Sequence, residues 1–297
     1  MLNEQQIEDM MARVRKLELK AQRMVHQSFS GEYRSSFRGQ GLDFDEFREY
    51  QHGDEVRFID WKVTARMDEP YVRKFHEERE LNVVIAVDIS GSADYGSVEW
   101  SKREIAAETA AILGFSALHN GDKAGLLLFA NDALLYIKPE KGKRHLLRMI
   151  REILVTQPEQ PGTSIQSACD FLIRTLKRKS LVFIVSDFYA DPIDKPLGQL
   201  SRKHETIALR VHDPLEAKIP DVGKVILLDP ESGLETRINT SNSGLRMAYS
   251  KLMRRQNEGL AKVFTKHGIL NTEIGTHKDP LAPLKQLFKK RMKYRPQ

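Results

Sequence analysis

The stretch Val83–Ser92 reads VVIAVDISGS, an apolar run that stops on Asp88 and turns into a loop carrying Ser90 and Ser92. One carboxylate and two hydroxyls at alternate positions present hard oxygen donors. Such donors suit a magnesium-type cation, which keeps several waters and takes only one or two carboxylates from protein. Two further places offer the same chemistry: Thr163 within Gly162-Thr163-Ser164, and Asp187, which closes the run SLVFIVSD as Asp88 closes its own. Each also has a plainer reading. Thr163 with Gln166 fits a capping box at a helix start, and a strand-end carboxylate can be a simple turn former.

These residues need a scaffold. An unbroken apolar run bounded by polar residues is the pattern of a central parallel strand covered on both faces, and open α/β sheets bind ligands at the carboxyl ends of their strands. If strands 82–88 and 180–187 are neighbours across the topological switch point, both aspartates, the serine loop and Thr163 open into one crevice. From residue 81 onward apolar strands alternate with helical patterns, the sequence form of βαβ units. Strands are predicted near 82–88, 124–130, 133–138, 180–187, 205–211, 224–229 and 269–275, and helices near 99–119, 143–154, 164–178, 243–267 and 280–293. Only Asn131 and Asp132 separate the second strand from the third, which predicts a hairpin and one antiparallel edge strand.

Ahead of this lies a different kind of sequence. Ile7, Met10, Val14, Leu17, Ala21 and Met24 recur at spacings of three and four, predicting one helix over 3–28. It has too few heptads for a coiled coil, so its seam is expected to dock on the protein's own body. Residues 29–80 mix glycines, charges of both signs and aromatics, which predicts short strands and turns, with strands around Ile59 and Val72. Tyr50, Phe58 and Trp61 are the expected anchors of this segment on the sheet. The division is therefore 1–80, a helix and a charged aromatic segment, and 81–297, an α/β domain.

Composition narrows the function. Of 297 residues, 40% are hydrophobic, and the net charge of +6 is spread among interspersed acids and bases, with no basic face interleaved with aromatics. Nucleic acid is not the expected partner. The single Cys169 excludes an internal disulfide framework, and no Cys/His spacing matches a zinc site. The N-terminus lacks the basic and apolar regions of a signal peptide, and no apolar run is long enough to span a bilayer, so the expectation is a cytoplasmic protein with no integral membrane segment.

Asp88-Ile89-Ser90-Gly91-Ser92, then Thr163, then Asp187 resembles the metal-ion-dependent adhesion site of von Willebrand factor A domains. That resemblance implies a Rossmann-like, mostly parallel sheet with helices on both faces. It also implies Mg2+ or another divalent cation held by Asp88, Ser90, Ser92, Thr163 and Asp187, with a partner's carboxylate completing the shell. A second resemblance covers nearly the whole chain. The run Arg38–Tyr50, then Gly53–Trp61 with Ala65-Arg66, His212-Asp213-Pro214-Leu215-Glu216, Ile219-Pro220 and Leu228–Gly233 resembles the bacterial domain of unknown function 58 family. Its members are similar to von Willebrand A domains and are typically encoded beside AAA+ ATPases of the MoxR type, thought to act in maturing or activating other proteins.

What the resemblance implies is a metal-dependent protein-interaction module, an adaptor or co-chaperone, whose partner is a MoxR-type ATPase or its client. The alternative is a metal-dependent hydrolase acting on a phosphoester. It ranks second because the nearby loops offer no His as a base, and no second Asp follows Asp88 two residues on.

Overall fold

The structure, a computed structural model, describes residues 4–25, 33, 43–67, 69–76, 80–159, 162–190, 193–229 and 233–293. In chain order it runs α1 (Glu4–Met24), β1 (Asp43–Glu49), α2 (Trp61–Met67), β2 (Tyr71–His76), β3 (Asn82–Asp88), α3 (Lys102–His119), β4 (Lys123–Phe129), β5 (Ala133–Glu140) and α4 (Lys143–Val155). It continues with α5 (Ile165–Thr175), β6 (Leu181–Ser186), α6 (Asp194–Lys203), β7 (Glu205–His212), α7 (Pro214–Ala217), β8 (Lys224–Leu228), β9 (Glu235–Asn239), α8 (Ser243–Lys266), β10 (Leu270–Gly275) and α9 (Leu281–Lys293).

Six strands form one sheet in the order β10-β7-β6-β3-β4-β5. All neighbours are parallel except the β4–β5 hairpin, the antiparallel edge predicted from the two-residue connection. The fold is thus a mixed α/β, Rossmann-like architecture. Alternate residues of β3 feed two cores, as a period of two demands. Val83, Ile85 and Val87 join α1, α3, α4 and α9 in one cluster, while Val84 and Ala86 join α5, α6 and α8 in the other. Burial on both faces explains why β3 reads as a continuous apolar run. The N-terminal helix docks on the body, with Val14, Leu17 and Ala21 buried in the same core as α3 and α4.

One predicted strand is placed apart from the sheet, and two local expectations are corrected. The predicted strand 224–229 is present as β8 but stands outside the central sheet: among the described residues it pairs with β9, and the place beside β7 is taken by β10. Around Ile59 there is a short 3-10 turn, Val56–Phe58, and a single bridge from Ile59 to Val72 rather than a strand. Trp61, expected as an anchor, is 66% exposed on α2. Three helices went unpredicted, α2, α6 and α7. In α6, DKPLGQLSRK, Pro196 and Gly198 hide the helical pattern, but proline is tolerated in a first turn. Gly198 lets His267 approach so closely that a Cβ there would lie 2.4 Å from its ring.

Candidate functional site

The chain goes from β3 to β4 on one side and returns through β6 on the other, so the strand order reverses between β3 and β6. At such a reversal the connections leave in opposite directions and a crevice opens at the strands' carboxyl ends. Asp88 ends β3 and Asp187 follows β6, so both aspartates stand at this rim. The register confirms the adjacency, Val87 lying opposite Val185.

The side chains form one bonded cluster. Asp88 Oδ1 accepts the Ser90 amide at 3.0 Å, and its Oδ2 accepts the Ser186 hydroxyl at 2.7 Å. Ser90 and Ser92 hydroxyls are 3.2 Å apart, and Ser92 donates to Asp187 Oδ2 at 3.0 Å. The Ser186 oxygen in turn accepts the Phe188 amide at 3.0 Å, which aims its proton at Asp88. Phe188 is, among the described residues, the one non-glycine with positive φ, at 61°. A left-handed residue of this size costs on the order of 1–3 kcal/mol and is kept only where packing insists. Here Phe188 is buried against Phe264 with ring centroids 5.2 Å apart.

Thr163 sits half-buried on the loop entering α5. That loop is tied to the same rim, since Ser164 donates its amide to Ala130 while Ile89 donates to Phe129. The capping expectation is corrected. Ser164, not Thr163, caps α5, accepting the Ser167 amide at 3.1 Å.

Several residues that complete the site were not singled out in the sequence. Lys102, 3% exposed, places its ammonium 2.7 Å from Asp187 Oδ2 and 2.5 Å from Glu216 Oε1. Burial pulls the Lys102 ammonium down, but Asp187 and Glu216 more than offset this and hold it above its ordinary value. Arg103 clamps the motif loop, donating to Ile89 O at 3.1 Å and Thr156 O at 2.5 Å. A signal for both did exist. They occupy the first two positions of α3, after the Ser101–Glu104 capping box, where the helix dipole disfavours cations. Cations placed there need partners elsewhere.

Asp213 forms the joint of the rim. Fully buried, it accepts the Ser97 amide at 2.8 Å, the Ser97 hydroxyl at 2.5 Å, the Leu215 amide at 2.9 Å and the Thr276 hydroxyl at 2.8 Å. Burial pushes its carboxyl up, yet these donors together bring it below the ordinary 3.8.

The donor set suits a hard cation. Among the described residues no group of three or more His, Cys, Asp or Glu gathers as a metal cage, so two carboxylates and hydroxyls are what the rim supplies. Burial, with Asp187 nearby, pushes Asp88 up to about 6. Among the described residues Asp88 has no ion pair, while Lys102 already serves Asp187, so the rim carries more negative charge than it neutralises. Beneath it lies a cavity of about 10 Å³, enough for one water-sized sphere, lined by Ser92, Lys102, Ser186 and Val211 as well as both aspartates.

These features define an α/β protein with an oxygen-lined crevice at its switch point. The family described as Protein of unknown function DUF58 matches residues 46–259, and the chain belongs to it. The chain is 32% identical over 278 residues to an uncharacterized protein of Mycobacterium bovis, covering 92% of this chain and 87% of that one. It is 29% identical over 108 residues to the uncharacterized protein YeaD of Bacillus subtilis, covering 36% of this chain and 25% of that one. Among solved structures, BatB of Bacteroides thetaiotaomicron is 18% identical with a TM-score of 0.46, over 72% of this chain and 99% of that one. An aerotolerance-related membrane protein from Bacteroides fragilis gives 18% and 0.46 over 72% and 100%. A membrane spanning protein from Vibrio fischeri gives 15% and 0.24 over 73% and 100%. The expectation of a cytoplasmic protein is corrected by these neighbours, two of which are described as membrane proteins, and no compartment is assigned. Among the described residues no helix is long and apolar enough to cross a membrane.

Proposed function

We propose that the crevice is a divalent-cation-dependent protein-interaction site of the von Willebrand A kind, through which the chain grips a carboxylate of a MoxR-type AAA+ ATPase or of its client. The observation that carries this reading is the bonded rim of Asp88, Ser90, Ser92 and Asp187, oxygen-rich and short of positive charge. Asp88, Ser90, Ser92, Thr163 and Asp187 would hold Mg2+, which supplies an electropositive open position for an anionic oxygen. The chain's own residues do the rest. Ser186 and the Ser90 amide orient Asp88, Arg103 fixes the motif loop, and the loops after Asp88, Thr163, Asp187 and Asp213 frame the surface a partner meets. One carboxylate contact is weak alone, so the surrounding loops must contribute most of the interface.

Calorimetry against a MoxR-type AAA+ ATPase tests the reading. Binding that needs Mg2+, falls with EDTA and disappears in Ser90→Ala/Ser92→Ala with the fold intact supports it. Equal binding with and without divalent metal overturns it, as does metal-dependent turnover of a generic phosphoester that Asp88→Ala abolishes.

A further inference from the structure

At this rim the carboxylates of Asp88 and Asp187 meet one ammonium, that of Lys102, which also reaches Glu216 on α7. The lysine is buried from the first position of α3 and is shared between two acceptors, Asp187 Oδ2 at 2.7 Å and Glu216 Oε1 at 2.5 Å. Asp187 Oδ2 is thereby doubly engaged, since it also accepts from Ser92. Its Oδ1 accepts the Tyr189 amide at 3.1 Å. A cation approaching Asp187 therefore meets a carboxylate that already has its counter-charge.

Glu216 is held in place independently of the rim. Its Oε2 accepts the Asp213 amide at 2.9 Å in a capping box, and its backbone oxygen accepts the Tyr249 hydroxyl at 2.9 Å. Lysine, a compact charge on a flexible four-carbon stem with three donors, is the mobile member. It can leave one carboxylate and stay bonded to the other.

We propose that Lys102 is a built-in counter-cation that competes with divalent metal for Asp187, and that Glu216 is the acceptor to which its ammonium withdraws when metal binds. The proposal rests on the reading of the rim as a divalent-cation site. It assigns Lys102 and Glu216 as positioning residues that set how tightly the rim holds metal. The consequence is a site in which Asp187 keeps a counter-charge without metal and takes metal up weakly, so that metal and partner bind best together.

The test is a double-mutant cycle on Mn2+ and Mg2+ affinity by calorimetry, with thermal unfolding followed with and without metal. Lys102→Met is expected to lower the apparent Tm of the metal-free protein and to tighten Mn2+ at least about tenfold. Glu216→Gln, with its lysine retained, is expected to weaken Mn2+ about fivefold or more, because the ammonium loses its alternative acceptor. In the Lys102→Met background the Glu216→Gln effect should largely vanish. Simple long-range attraction between Glu216 and metal would instead give the same Glu216→Gln effect in both backgrounds, and that overturns the proposal. If Lys102→Met folds only with metal present, the counter-cation role is upheld. If it folds under neither condition, an unchanged Mn2+ affinity in Glu216→Gln overturns the proposal and the fivefold loss upholds it. Wild-type binding that Lys102→Met does not tighten defeats this inference alone, whereas no binding by either protein defeats the metal reading with it.

Discussion

The rim between β3 and β6 and the arm formed by β8, β9 and the first half of α8 leave the same end of the sheet, yet they are built in opposite ways. At the rim nearly every polar side chain has a partner from a distant element: Ser92 with Asp187, Ser97 with Asp213, Lys102 with Glu216. On the arm, Val222, Ile226, Leu228, Leu234, Met247 and Leu252 are exposed, and α8 has buried residues only at Leu260 and Phe264. An isolated two-stranded hairpin is marginal in water, so β8–β9 depends on its attachments. Those include Thr240, which bonds back to Val222 and Gly223, and the Tyr249–Glu216 bond. The difference teaches where stability and specificity reside: the sheet end is over-determined by buried bonds, while the arm spends apolar surface on solvent.

Asp213, which ties the loop after β3 to α7 and to the residue after β10, should be the most sensitive position. Asp213→Ala leaves donors from Ser97, Leu215 and Thr276 without their acceptor in a buried place, and should cost about 3–5 kcal/mol in denaturant unfolding. A loss below about 1 kcal/mol would show that these bonds do not hold the rim together. The same group gives a pH test. Its folded pKa lies below 3.8, so the stability it contributes is present above that value and is lost as pH falls through the folded pKa. Asp213→Asn should flatten that part of the acid limb, and an unchanged acid limb would contradict the assignment.

Next in size comes the core beneath the rim. Ile85 is fully buried in β3, and Ile85→Ala should cost about 2–5 kcal/mol. Removing the rim hydroxyls is a smaller matter for the fold. Ser90→Ala/Ser92→Ala should shift unfolding by no more than about 1–2 kcal/mol while eliminating Mg2+ binding measured by calorimetry. Loss of folding instead would make those serines structural. The smallest effect belongs to the arm, where Leu228→Ser should stay within about 0.5 kcal/mol. Amide exchange sharpens the contrast: β8–β9 should open well below the global free energy and β3 only near it, and equal protection in both would erase the distinction.

Much of the sheet was legible because its signals are local. A strand buried on both faces must be apolar throughout, so β3 and β6 announce themselves, and two residues between β4 and β5 leave room only for a hairpin. The same local reading found the strand at 224–229 but failed on its partner, because nothing in KVILL itself says which neighbour it will pair with. It failed again at Thr163, since a threonine and the serine beside it are equally good caps until the backbone chooses between them.

The residues Asp88, Ser90, Ser92 and Asp187 were determined as rim residues by sequence alone, because a polar residue ending an apolar strand has one place to go, the strand's carboxyl end. Which cation faces them was decided only in three dimensions. Lys102 and Glu216 lie far apart along the chain, and neither carries a periodicity or motif that predicts the other. Their meeting with Asp187 depends on α3 crossing one face of the sheet and on β7 delivering Asp213 and α7 beside β6. Periodicity follows from backbone geometry repeated every two or 3.6 residues, whereas a buried ion pair is selected by which surfaces pack together and by the cost of leaving either charge alone.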